Sequence, residues 1–81
     1  MYSYFAYVVS AMVGSLNMKN TIKSLRKDKK LSQAELANLC DVTRQTINAI
    51  ENDKYDPTLQ LAFSLSKHLN TTVDELFIFE G

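Results

Sequence analysis

Residues 32 to 54, Ser-Gln-Ala-Glu-Leu-Ala-Asn-Leu-Cys-Asp-Val-Thr-Arg-Gln-Thr-Ile-Asn-Ala-Ile-Glu-Asn-Asp-Lys, leave little choice of local structure. Ser32 followed three residues later by Glu35 is a capping box, in which each side chain satisfies a backbone donor left open by the first turn of a helix. Leu36, Leu39 and Cys40 then fall at i, i+3 and i+4, a single helical stripe. A break has to come at Asp41-Val42, because aspartate is one of the few non-glycine residues that tolerates a left-handed backbone, and Thr43 is a good cap for a new helix. In that second helix Ile47 and Ile50 share one face, which leaves Arg44, Gln45, Asn48 and Asn52 on the other. Two short helices joined by a tight turn are the centre of the chain.

The flanks supply three more helices. Asn20 or Thr21 can cap one that runs to about Lys29, with Ile22 and Leu25 inward and Lys19, Lys23, Lys27 and Lys30 outward. Cations in its last turn complement the helix dipole, so a solvated helix explains much of the charge run. Downstream, Asn52-Asp-Lys-Tyr-Asp-Pro57 is turn-rich, and its proline forbids helix continuation. Thr58, or Asp56 with Pro57 at the first helical position, opens a fourth helix through about Leu69, with Leu61, Ala62, Leu65 and Leu69 on one stripe and Asn70 closing it. Thr72-Val-Asp-Glu75 reads as another capping box, starting a short fifth helix that ends near Phe77. The expectation is an all-α domain over residues 18–81. Residues 1–17 are uncharged and unlike the rest. They lack the basic start of a secretory signal, and their apolar run is shorter than the ~20 residues of a membrane span. An apolar arm packed on the domain or on a second subunit is one reading; a non-native lead before a natural start at Met18 is preferred.

At 81 residues the chain is one domain, with room for a small core and one working surface. The single cysteine, Cys40, excludes an internal disulfide and fits a reducing, cytoplasmic setting; no metal or cofactor is expected. Net charge is zero but unevenly spread. Between Met18 and Lys54 the cations outnumber the acids by three, and the remainder to Gly81 reverses that surplus. A basic half of this kind can face phosphates. No paired acids, no nucleophile with a base and no glycine-rich phosphate loop are present, so an enzyme is not expected, and no site for a small-molecule effector is visible. Cys40 and His68 read as structural.

Three segments in register, Ser32-Gln-Ala-Glu-Leu-Ala, Val42-Thr-Arg-Gln-Thr-Ile and Ile50-Glu-Asn-Asp-Lys-Tyr-Asp-Pro57, make residues 19 to 77 resemble the phage-repressor-like (Xre/Cro type) helix-turn-helix regulators. The resemblance implies a compact five-helix, lambda-repressor-like DNA-binding domain that reads the major groove with its third helix, about 43–52, most often as a repressor. It implies a phosphate contact for Gln33 and base contacts for Arg44, Gln45 and Thr46. Chemistry agrees for two of these: a guanidinium can bridge guanine O6 and N7, and a carboxamide can pair with adenine. Asn48 joins the base-reading set. Thr43, Asn52, Lys54 and the amides around Asn52 and Asp53 join Gln33 on the DNA backbone, although Asn52 can also simply close its helix. Lys19, Lys23 and Lys27 suit diffuse attraction. The resemblance also implies an ion pair, Arg26 with Glu51. Asp41 and Asp53 stand where the family usually has glycine, and Ala49 replaces a base-reading side chain of some relatives.

One such helix reads few base pairs, so a homodimer on a pseudo-palindromic operator in double-stranded DNA is expected, with Leu76, Phe77, Ile78 and Phe79 as its apolar surface. The rival readings are a protein-interaction module or antitoxin-like partner on the same fold, and a membrane-tethered regulator using residues 1–17.

Overall fold

The computed structural model describes residues 18–79. The arm, tether and lead readings of residues 1–17 fall outside the described residues. In chain order come β1 (Met18–Asn20), α1 (Ile22–Asp28), α2 (Gln33–Leu39), α3 (Arg44–Glu51), α4 (Leu59–His68), α5 (Val73–Leu76) and β2 (Phe77–Phe79). The five helices enclose Ile22, Leu36, Ile47, Ile50, Leu65 and Leu76, all essentially inaccessible, with Ala37, Cys40, Leu61 and Leu69 around them. Leu25, Leu31, Val42 and Phe77 close the rim of this core.

Start signals behave as side-chain chemistry requires. Ser32 Oγ accepts from the Glu35 amide at 3.0 Å while Glu35 Oε1 accepts from the Ser32 amide at 2.8 Å, a complete capping box. Thr43 and Thr58 accept from the amides of Thr46 and Leu61 at 3.2 and 3.1 Å. The box at Thr72 does not form. There the Thr71 hydroxyl takes Glu75 Oε1 at 3.2 Å, and the Glu75 and Leu76 amides close on the Thr72 carbonyl instead.

Stop signals are uniform. Lys30, Asp41, Asp53 and Asn70 all have φ between 55° and 60°. Each lies two residues past the end of its helix, and the next amide (Leu31, Val42, Lys54, Thr71) returns to the carbonyl of Arg26, Ala37, Ala49 or Ser66 at 2.9–3.0 Å. These are Schellman closures built without glycine.

Three expectations are corrected. The domain is not all-α: β1 and β2 pair antiparallel, Met18 opposite Phe79, Lys19 opposite Ile78 and Asn20 opposite Phe77. Aromatic and β-branched side chains at 77–79 suit a pleated surface, and α5 ends where its C-terminal residue turns extended. Leu39 is 48% exposed, because Ala37 takes the inward place on α2 beside Leu36. Leu76 is 0% exposed and belongs to the core, so it cannot contribute to a dimer surface; Phe77 is half-buried, while Ile78 and Phe79 are exposed.

Candidate nucleic-acid interface

α3 is anchored by what lies behind it. Ile47 and Ile50 are buried between α2 and the rest of the core, so the opposite side of the helix must face out. Arg44, Gln45, Asn48 and Asn52 are exposed there, and Thr46 and Ala49 are half-buried at its edge. Thr46 is tied to the cap, its hydroxyl 3.0 Å from that of Thr43. Of the sequence-predicted base-reading residues, Arg44, Gln45 and Asn48 thus share one exposed turn-and-a-half, and Thr46 lies at its edge.

A side-chain network ties this face to α1 and α2. Arg26 and Glu51 form an ion pair whose side chains are 9% and 2% exposed. Arg26 Nε donates to Glu51 Oε2 at 2.6 Å and its Nη2 to Oε1 at 3.2 Å, while Nη1 donates to the Leu31 carbonyl at 2.8 Å. That guanidinium therefore joins the end of α1 to the end of α3 while satisfying a carbonyl of the loop that leads into α2. No buried side-chain polar atom among the described residues lacks a partner. Gln33 extends the network: its Nε2 donates to Glu51 Oε1 at 3.0 Å and to Asn48 Oδ1 at 3.1 Å, and its Oε1 lies 3.5 Å from Arg44 Nη1. Asn52 Nδ2 donates to the carbonyl and to Oδ1 of Asn48, at 2.8 and 3.2 Å.

These bonds change what some residues offer. The amides of Asn52, Asp53 and Lys54 all return to α3 carbonyls, at 3.1, 3.1 and 2.9 Å, and are not open to a phosphate. Lys54 keeps an exposed ammonium just past α3. Asn20, expected as a cap, accepts from the Ile22 amide at 3.1 Å, but its Nδ2 also reaches the Ile50 carbonyl at 2.8 Å and Asp53 Oδ1 at 3.2 Å. It therefore fastens the end of α3 to β1, a role visible only once the chain has closed over thirty residues or more.

Elsewhere the groups are quiet. Burial pushes the Cys40 thiol up, partly offset by a hydrogen bond with Ser64, which keeps it protonated and poorly nucleophilic. Among the described residues no cluster of His, Cys, Asp and Glu could hold a metal ion, and no helix is long and apolar enough to cross a membrane. A depression beside α4 and α5, lined by Phe63, Lys67, Val73 and Asp74 among others, shares no residue with the α3 face.

The family described as Helix-turn-helix (HTH_3) matches residues 22–76. An uncharacterised HTH-type transcriptional regulator of Methanocaldococcus jannaschii is 46% identical over 63 residues, spanning 78% of this chain and 96% of its own length. The HTH-type transcriptional regulator YgzD of Bacillus subtilis is 40% identical over 63 residues, with 78% and 96% covered. The immunity repressor protein of Bacillus phage phi105 is 33% identical over 55 residues, spanning 68% of this chain but 38% of the repressor. Among solved structures, the clp gene regulator ClgR from Corynebacterium glutamicum superimposes with a TM-score of 0.62 at 24% identity, over 65% of this chain and 56% of that one. That likeness is one of fold.

Proposed function

The chain belongs to the Xre-like helix-turn-helix family of transcriptional regulators, and from that premise we propose that it binds a specific double-stranded DNA site as a repressor, inserting α3 in the major groove. The observation that carries this is the exposed row Arg44, Gln45 and Asn48 on a helix whose other side, Ile47 and Ile50, is locked in the core. A rigid helix with polar, hydrogen-bonding side chains on its first turns suits base edges. Arg44, Gln45, Thr46 and Asn48 read bases in this proposal, and Thr43, Lys54, Gln33 and Asn52 border the DNA backbone. The likeness to a phage immunity repressor supports repression by promoter occupancy. Two copies on a pseudo-palindromic operator would place their α3 helices one DNA turn apart, roughly 34–36 Å.

The test is selection of bound duplexes from a randomised pool, followed by titration of the selected and a scrambled site at several salt concentrations. Arg44→Ala is expected to cost ~1–3 kcal/mol on the selected site and to relax preference at one base position. Lys54→Ala should weaken both duplexes alike and lower the salt slope by ~1. Equal losses on both duplexes for Arg44→Ala would refute its base-reading role.

A further inference from the structure

Gln33, Asn48 and Asn52 carry primary carboxamides, which can face either way; a carboxylate decides how they face here. Glu51, gripped by Arg26 through both oxygens, accepts hydrogen bonds and cannot donate them. The Gln33 atom 3.0 Å from Glu51 Oε1 must therefore be the nitrogen Nε2. The second hydrogen of that nitrogen points to Asn48, 3.1 Å away, so the Asn48 atom receiving it must be Oδ1. Asn52 Nδ2 donates to the same Oδ1 at 3.2 Å and uses its other hydrogen on the Asn48 carbonyl at 2.8 Å. Two donors fill both lone pairs of Asn48 Oδ1. What Asn48 retains for a ligand is Nδ2, on the exposed face of α3.

We propose that Asn48 is a donor-only contact whose partner in the complex is a hydrogen-bond acceptor, either a purine N7, guanine O6, thymine O4, or a phosphate oxygen. Gln33 and Asn52, with both amide hydrogens engaged inside the chain, are positioning residues that hold it so. This rests on the DNA-binding reading above. It rules out the two-bond pairing of asparagine with adenine, in which the side-chain oxygen must accept from N6, and it disfavours cytosine, whose major-groove edge offers a donor.

Two measurements on the full chain test it. Side-chain amide exchange followed by NMR in the free protein reads the network without DNA: Gln33 Nε2 hydrogens exchange slowly and Asn48 Nδ2 hydrogens fast. The reverse pattern overturns the proposal whatever happens on DNA. On DNA, wild type and Asn48→Ala are titrated on every single-base variant of the selected site and on duplexes carrying single methylphosphonates. The expected result is that Asn48→Ala erases about 5- to 150-fold discrimination, either at one purine or thymine or at one phosphate, and the two duplex series tell these apart. Gln33→Ala, which frees the carboxamide to turn over, should erase the same discrimination on top of whatever even loss of affinity the removal of Gln33 brings at every position. A Gln33→Ala variant that loses affinity evenly and keeps the wild-type discrimination at the Asn48 position would overturn the positioning role. A preference for adenine over guanine, or for cytosine, that disappears in Asn48→Ala overturns the donor-only contact, as does an Asn48→Ala variant indistinguishable from wild type. A wild type that selects no sequence overturns the regulator reading and the contact with it; the exchange pattern then still reports separately on the network.

Discussion

Arg26 shows how much one side chain can hold. Its side chain is 9% exposed, serves Glu51 twice and the Leu31 carbonyl once, and so joins two helices and a loop through one charge. Burying two charges is costly, and such a pair adds little over an apolar replacement of both partners, but removing one alone leaves the other uncompensated. Arg26→Met is therefore expected to destabilise by ~3–5 kcal/mol, and Glu51→Gln by less, because a carboxamide can still accept one hydrogen bond from Arg26. Urea unfolding of both single variants and the double variant measures the coupling energy; a coupling of zero would show that the pair contributes nothing beyond its separate parts. Around this pair the residue chemistry was partly legible in the chain. The exposure of Arg44, Gln45 and Asn48 followed from helical spacing alone, and aspartate at 41 and 53 announced left-handed turns. The direction in which Gln33, Asn48 and Asn52 face was not legible, since it depends on a carboxylate brought from the far end of α3 against the start of α2.

At the scale of elements, four successive helices end the same way, on a left-handed residue that is not glycine. Asparagine and aspartate tolerate this backbone; lysine has no local hydrogen bond to ease it, and a non-glycine residue in that region costs roughly 1–2 kcal/mol. Lys30→Gly is expected to stabilise the domain by ~0.5–1 kcal/mol after the entropy of glycine is subtracted, read as a higher urea midpoint at unchanged slope. Asp53→Gly should gain less, because the bond from Asn20 is lost with the carboxylate. A lower midpoint for Lys30→Gly would show that the turn is not strained. The helices themselves were readable because each carries its own cap and its own apolar stripe. The two strands were not: three residues are too few to show alternation, and Thr72-Val-Asp-Glu75 has the letters of a capping box without forming one, as the neighbouring Thr71 hydroxyl takes the carboxylate. Lys30 was missed as a left-handed residue because nothing in its type signals one.

At the scale of the whole molecule, the apolar residues left outside the core set the remaining question. Ile78 and Phe79 are 46% and 67% exposed on β2, and Tyr55, 41% exposed, lies with Met18 and Phe77 around one small depression beside it. A protein of this size rarely leaves so many apolar side chains near one another uncovered without a partner. With Leu76 withdrawn into the core, the dimer surface we propose rests on Ile78 and Phe79 of the four residues expected for it. Phe79→Glu is expected to shift sedimentation at micromolar concentration toward the monomer and to weaken binding to a two-half-site operator far more than to a single half-site. A monomeric wild type bound at full affinity to one half-site would remove the dimer. The pairing of Met18 with Phe79 brings the two ends of the described chain to the same rung, roughly 5 Å apart at their Cα atoms. A tag placed directly before Met18 or directly after Phe79 would therefore start beside the exposed Phe79, so self-association measured on such a tagged 18–79 fragment is a property of the tag as much as of the protein.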